Sequence, residues 1–187
     1  MPNPHNPRNW HRAEADRFAD LIDGVADWDV PTPVAGWSAL DVVAHVLVHW
    51  PGFFAMGGVA LPAADPGDLA GSFWRQAVAI DGLCADEPQL ACEFTGPDGF
   101  RGDLGTAVGL YCTDLFVHGW DLARATAQDD GLDERTAGLL LAGMQAIGGQ
   151  LRALGQYGPE IEVAPDAPVA ERLIGFLGRD PYWRPAG

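Results

Sequence analysis

The stretch YCTDLFVHGWDLARA, residues 111–125, carries two carboxylates and an imidazole in apolar surroundings. At about 100° per residue, an α-helix puts Asp114 roughly 40° from His118 and roughly 20° from Asp121, so all three share one stripe. Leu115, Phe116, Val117 and Leu122 spread over the other directions, which predicts a helix buried nearly all round. Ionisable groups stacked inside such a helix cost several kcal/mol unless something compensates. Asp114 and His118 can form a simple hydrogen-bonded pair, and Asp121 can pair with Arg124 on the next turn. Alternatively the stripe holds a cation, since Asp114 and His118 at i, i+4 have the spacing that sets two ligands beside one ion.

A second segment, DVVAHVLVHW at 41–50, offers His45 and His49, again at i, i+4. Asp41 lies four residues before His45. Its place in the first turn of a helix explains it better as a cap, where free N–H groups and the helix dipole favour a carboxylate. That leaves His45 without a comparable structural role. Helical bundles build metal sites from inward-facing residues of neighbouring helices, and these two segments supply such residues.

The elements that must position these groups are mostly helical. Residues 7–26 place Trp10, Ala13, Phe18, Leu21 and Ile22 at helical spacing. DVPTPVAG, residues 29–36, is a Pro-rich connection. A second helix opens at Ser38, where Ser38 and Asp41 resemble a capping box, and runs until Pro51 breaks it. A third covers 66–86, turn signals at 93–105 mark a loop or short hairpin, and a fourth helix spans about 104–127. A fifth runs from about Asp133 to Ala153. The tail holds a short extended piece and a helix near 167–178 capped by Asp166. Short connections between helices point to one domain over residues 1–187, an all-α antiparallel bundle.

Composition narrows the function. The chain has 26 acidic residues against 11 arginines, no lysine and a formal charge of −15. Nucleic-acid binders need clustered cations to displace counterions, so a nucleic-acid partner is not expected. No P-loop or dinucleotide-binding glycine pattern occurs. No membrane span is expected. MPNPHNPRNWHR has no apolar signal-type region, and Cys84, Cys92 and Cys112 lack metal-type spacing and form an odd count. A soluble cytoplasmic protein is the expectation.

The blocks GWSALDVVAHV (36–46), DLFVHGWDLARATAQ (114–128) and YGPEIEVAPDAPVAERLIGFLGRDP (157–181) resemble the DinB/YfiT-like superfamily. They are most similar to its actinobacterial branch, related to the metal-binding domain of mycothiol-dependent maleylpyruvate isomerase. The resemblance spans nearly the whole chain and is loosest over 52–103. It implies a DinB-like four-helix bundle, here with a short extra C-terminal helix, and one divalent metal at one end. The family's first histidine ligand falls on His45, and its later pair falls on Asp114 and His118. The common form of the superfamily has histidine where this chain has Asp114, and the isomerase has glutamate. Two imidazoles and a carboxylate suit zinc foremost, and also nickel, manganese or iron.

Three protein ligands leave open positions, which the relatives use for a low-molecular-weight thiol such as mycothiol. The expected activity is therefore a metal-dependent thiol S-transferase or isomerase acting on a small electrophile. The isomerase has a further C-terminal domain that contributes to its active site, whereas this chain ends with the LGRDPYW tail, so the chemistry carries over as a class. Around the metal, Asp121 and His49 are candidates to orient ligands or reach the pocket, and Arg75 to bind a substrate carboxylate. Trp37 and Trp120 are candidates to line its mouth. One alternative is a bundle that binds a metal or small ligand without catalysis. Another is a helical homodimer whose site has decayed.

Overall fold

The protein was analysed as a computed structural model, which describes residues 6–146, 149, 152 and 157–185. Four helices form the core: α1 (Pro7–Asp23), α2 (Ala39–Met56), α3 (Leu69–Cys84) and α5 (Leu104–Thr126). α4 (Glu87–Leu90) is one turn. It leads into a hairpin of β1 (Glu93–Thr95) and β2 (Arg101–Asp103), antiparallel in register Glu93↔Asp103, with a 3-10 turn at Pro97–Gly99. The turn signals at 93–105 therefore resolve as a hairpin. Its Phe94 is buried and stacks on Phe53 of α2, with ring centroids 5.3 Å apart.

Local chemistry sets the helix starts. The Ser38 hydroxyl accepts from Asp41 N at 3.3 Å while Ser38 N donates to Asp41 Oδ2 at 2.8 Å, a reciprocal capping box. Asp103 caps α5, accepting from Thr106 N at 2.7 Å. As its residue pattern predicts, α5 is buried over most of its circumference, including Leu115, Phe116, Val117 and Leu122.

Pro51 does not end α2, which continues five residues to Met56. A mid-helix proline orphans the carbonyl four residues back, here that of Leu47. Gln76 of α3 donates to this carbonyl from Nε2 at 3.1 Å, and also to Pro62 O at 2.9 Å. A neighbouring helix thus repairs the break, and Phe53 and Phe54 beyond it join the core.

Two further helices, α6 (Glu134–Gln145) and α7 (Val169–Phe176), pack on each other beside the bundle. Phe116 and Val117 of α5 complete their small core with Leu141, Met144, Leu173 and Phe176. The far end of the expected fifth helix lies outside the described residues. The last helix is shorter than 167–178, and Asp166 does not cap it. Pro168 holds the N-cap position, and Glu134 Oε2 of α6 accepts from Val169 N at 2.7 Å and Ala170 N at 3.3 Å.

α2 has the length and the mean hydropathy, 1.4, of a membrane-crossing helix. Its apolar face is spent inside the bundle, where Val42, Val43, Val46 and Phe54 are fully buried.

Candidate metal centre

His45 on α2 and Asp114 with His118 on α5 converge. Their ligand atoms all lie within 4.8 Å of one another. Asp114 sits between the rings, with Oδ2 3.4 Å from His45 Nε2 and Oδ1 3.5 Å from His118 Nε2. A tetrahedron with ligands about 2.1 Å from its centre has edges of roughly 3.4 Å, and each imidazole lies at about that separation from one of the two Asp114 oxygens.

Asp114 and His118 are hydrogen-bonded from behind, and Trp37 packs against His45. Trp50, one residue before Pro51, donates its indole Nε1–H to Asp114 Oδ2 at 2.7 Å. His118 Nδ1 lies 2.9 Å from Asp121 Oδ2, which leaves Nε2 facing Asp114. A carboxylate on the far ring nitrogen fixes the tautomer and raises the basicity of the other nitrogen, the usual support of a ligating histidine. Trp37, immediately before the N-cap of α2, stacks on His118 with centroids 5.7 Å apart and an angle of 16°. The same indole meets the His45 ring at 5.2 Å.

The electrostatics are those of a site built for positive charge. Burial works to raise the Asp114 carboxyl, but His118, His45 and Trp50 outweigh it and bring it down to about 2. Burial likewise disfavours the His118 cation, yet Asp114 and Asp121 prevail and raise its pKa. Asp114 keeps about a quarter of its side chain open, against 8% for His118 and none for Asp121, so the cluster faces outward through Asp114 and His45.

The other sequence candidates divide. His49 stacks on His45 with centroids 4.9 Å apart, and it sits at the exposed rim. Burial and the neighbouring His45 lower its pKa. Arg75 is not brought to the cluster, because its guanidinium is engaged by Asp68 at 2.9 Å and the Ser72 hydroxyl at 3.0 Å near the start of α3. Trp120 lines no mouth. Two residues past His118 is roughly 200° around the helix, and there it is buried beneath Arg124, whose guanidinium lies 5.4 Å from the ring centroid. Asp121 does not pair with Arg124, which bonds Asp130 at 3.2 Å. Its partner is Arg179 from the tail beyond α7, with Nε 2.8 Å from Oδ1.

Trp50 and Arg179 are the participants that spacing does not reveal. A tryptophan next to His49 reads as core. Arg179 is 58 residues from Asp121 in sequence, and only a buried carboxylate's need for a cation points to it. Tyr157 is pushed up by burial and by the charge of Asp114. Cys112, by contrast, is fully buried in the core and its thiol is pushed well up by that burial.

Gly119, between His118 and Trp120, has a steric reason. A Cβ there would come within 2.5–2.8 Å of the Arg17 guanidinium. Arg17 reaches across from α1 to bond the carbonyls of Leu115 and Phe116 at 3.1 and 3.0 Å, locking α1 to the turn that carries His118.

Residues 11–68 match the model of the mycothiol maleylpyruvate isomerase N-terminal domain, a region that includes Trp37, His45 and Trp50. Two uncharacterized proteins of Mycobacterium tuberculosis, from strains CDC 1551/Oshkosh and H37Rv, are each 31% identical over 185 residues. Each alignment covers 93% of this chain and 98% of the relative. No solved structure matches.

Proposed function

The chain belongs to the mycothiol maleylpyruvate isomerase N-terminal domain family, with its all-α DinB-like fold, and from that premise we propose a divalent-metal protein that activates a low-molecular-weight thiol. His45, Asp114 and His118 are the ligands, zinc the foremost metal, and mycothiol or a similar small thiol the cosubstrate. The reaction is S-transfer to, or isomerisation of, a small electrophile.

The observation that supports this reading is the convergence of two imidazoles and one carboxylate, with Asp114 tied from behind by Trp50 and His118 by Asp121. Three protein donors leave coordination open, the mark of a reactive rather than a structural site. A divalent ion held there would supply Lewis acidity, favouring the thiolate form of a thiol whose free pKa is near 8.5. The protein's own groups set up that chemistry. Asp121 keeps His118 in one tautomer, Trp50 holds Asp114 in place, and Trp37 covers the flank formed by His118 and His45. His49, exposed beside His45 and lowered in pKa, is placed to take a proton from an incoming thiol near neutral pH.

Elemental analysis of purified protein should find about one divalent ion per chain, lost in His118→Ala. Cobalt-substituted protein titrated with mycothiol should then develop a thiolate-to-cobalt charge-transfer band. Metal without any such band, across several thiols, would leave a metal-binding bundle with no thiol chemistry. No metal at all would remove the assignment entirely.

A further inference from the structure

α7 ends in a turn that delivers one side chain to the candidate metal centre. Gly178 takes φ +82°, the left-handed conformation that closes a helix at its C-terminus. Its N–H donates to Gly175 O at 2.9 Å, and Arg179 N donates to Ile174 O at 3.1 Å. A Cβ at Gly178 would come within 2.7–2.9 Å of the backbone of Gly158, so glycine is what lets the two chain segments meet. The turn sends Arg179 inward, where its side chain is 12% exposed.

The target is Asp121, which is fully buried. Arg179 Nε lies 2.8 Å from Oδ1 and Nη2 lies 2.9 Å from Oδ2, a fork across both oxygens. Oδ2 is also the atom that faces His118 Nδ1, at 2.9 Å. A carboxylate held by one imidazole alone is free to turn about its Cβ–Cγ bond. The planar guanidinium fixes that plane, which keeps Oδ2 on Nδ1 and Nε2 on the side of Asp114. Arg124, three residues along the same helix, is engaged by Asp130 and does not take this place.

Anchoring the tail does not by itself call for such a pair. Apolar residues of similar volume tie two segments together as well or better, because desolvating two charges offsets much of their attraction. An apolar pair cannot orient an imidazole. Resting on the reading of His45, Asp114 and His118 as metal ligands, we propose that Arg179 is a positioning residue of that centre. Acting through Asp121 it fixes the ring of His118, so docking of the segment after α7 sets the affinity for the metal. The coupling is reciprocal, and a bound ion holds that segment in turn.

The test is the zinc affinity of the full chain, from competition with a chelator of known affinity, together with the visible spectrum of the cobalt-substituted protein. Arg179→Lys keeps the charge and loses the fork. It should bind zinc about tenfold more weakly and alter the cobalt d–d bands. Arg179→Met/Asp121→Leu exchanges the buried pair for apolar contact, which should keep the protein folded. Its zinc affinity should nevertheless fall by roughly 10–100-fold, the range for lost outer-shell partners. In the wild type, zinc should slow hydrogen exchange at the Arg179 amide, and in the double variant it should not. Wild-type zinc affinity and cobalt spectrum in both variants would overturn the inference and leave the metal reading standing. A wild type that takes up neither zinc nor cobalt would remove the metal reading and this inference with it.

Discussion

Arg179 grips both carboxylate oxygens of Asp121, its Nε lying 2.8 Å from Oδ1 and 3.0 Å from Oδ2 and its Nη2 2.9 Å from Oδ2. Asp121 is fully buried and also meets His118 Nδ1, so the segment after α7 is joined through one carboxylate to a candidate metal ligand. Removing the cation leaves a buried charge with a single imidazole partner. Arg179→Met should therefore cost about 3–5 kcal/mol in urea unfolding at pH 7, as loss of one half of a buried pair does. The double variant Arg179→Met/Asp121→Leu should recover much of that loss. A single-variant cost below about 1 kcal/mol, the range of exposed pairs, would show that the contact is not maintained in solution.

Trp50 makes the second prediction. Its indole N–H makes the shortest hydrogen bond to Asp114, at 2.7 Å. Trp50→Phe keeps most of the ring packing and removes the donor. On the metal-site reading, affinity should fall 10–100-fold, roughly the range for lost outer-shell support. Competition with a chelator of known affinity measures this directly, and an unchanged affinity would mean that Asp114 needs no such restraint.

Gln76 supplies the third. It is buried, and it satisfies both the Leu47 carbonyl freed by Pro51 and the Pro62 carbonyl. Gln76→Leu leaves the buried Leu47 carbonyl unmet, at about 1–3 kcal/mol, and removes the donor from the half-buried Pro62 carbonyl as well. Pro51→Ala in that background restores an N–H to Leu47 O and should regain part of the loss, a coupling that a double-mutant cycle resolves. Simple additivity would dissociate the glutamine from the proline.

His11 carries the pH prediction. Burial lowers its folded pKa to about 4 from the ordinary histidine value of 6.5, so the unfolded chain binds the proton more readily. Its contribution is fully present above pH 6.5 and is lost as pH falls toward 4. Over that window the wild type should lose roughly 3 kcal/mol that His11→Phe does not, at about 1.4 kcal/mol per unit. Denaturant titrations of both proteins across pH 4–7 provide the difference, and parallel curves would show that the ring is not buried uncharged.

Much of the architecture was legible in the sequence because it is locally encoded. Ser38 and Asp41 carry their own capping box, the turn residues at 93–105 mark the hairpin, and the spacing of Asp114, His118 and Asp121 puts them on one side of α5. Helical period depends only on neighbours along the chain. Local rules misplace Pro51 as a break, because the donor that rescues Leu47 O comes from Gln76 on another helix. They give the cap of α7 to Asp166, when Glu134 holds it from α6. They offer Asp121 the nearest arginine, Arg124, when the buried carboxylate takes Arg179 from 58 residues away. Arg75, equally charged, is spent on Asp68. Sequence determined which groups share a helix face. Which of them meet was decided by the packing of α2 on α5 and by where the tail docks, since an ion pair or hydrogen bond is selected by distance in space and not by separation along the chain.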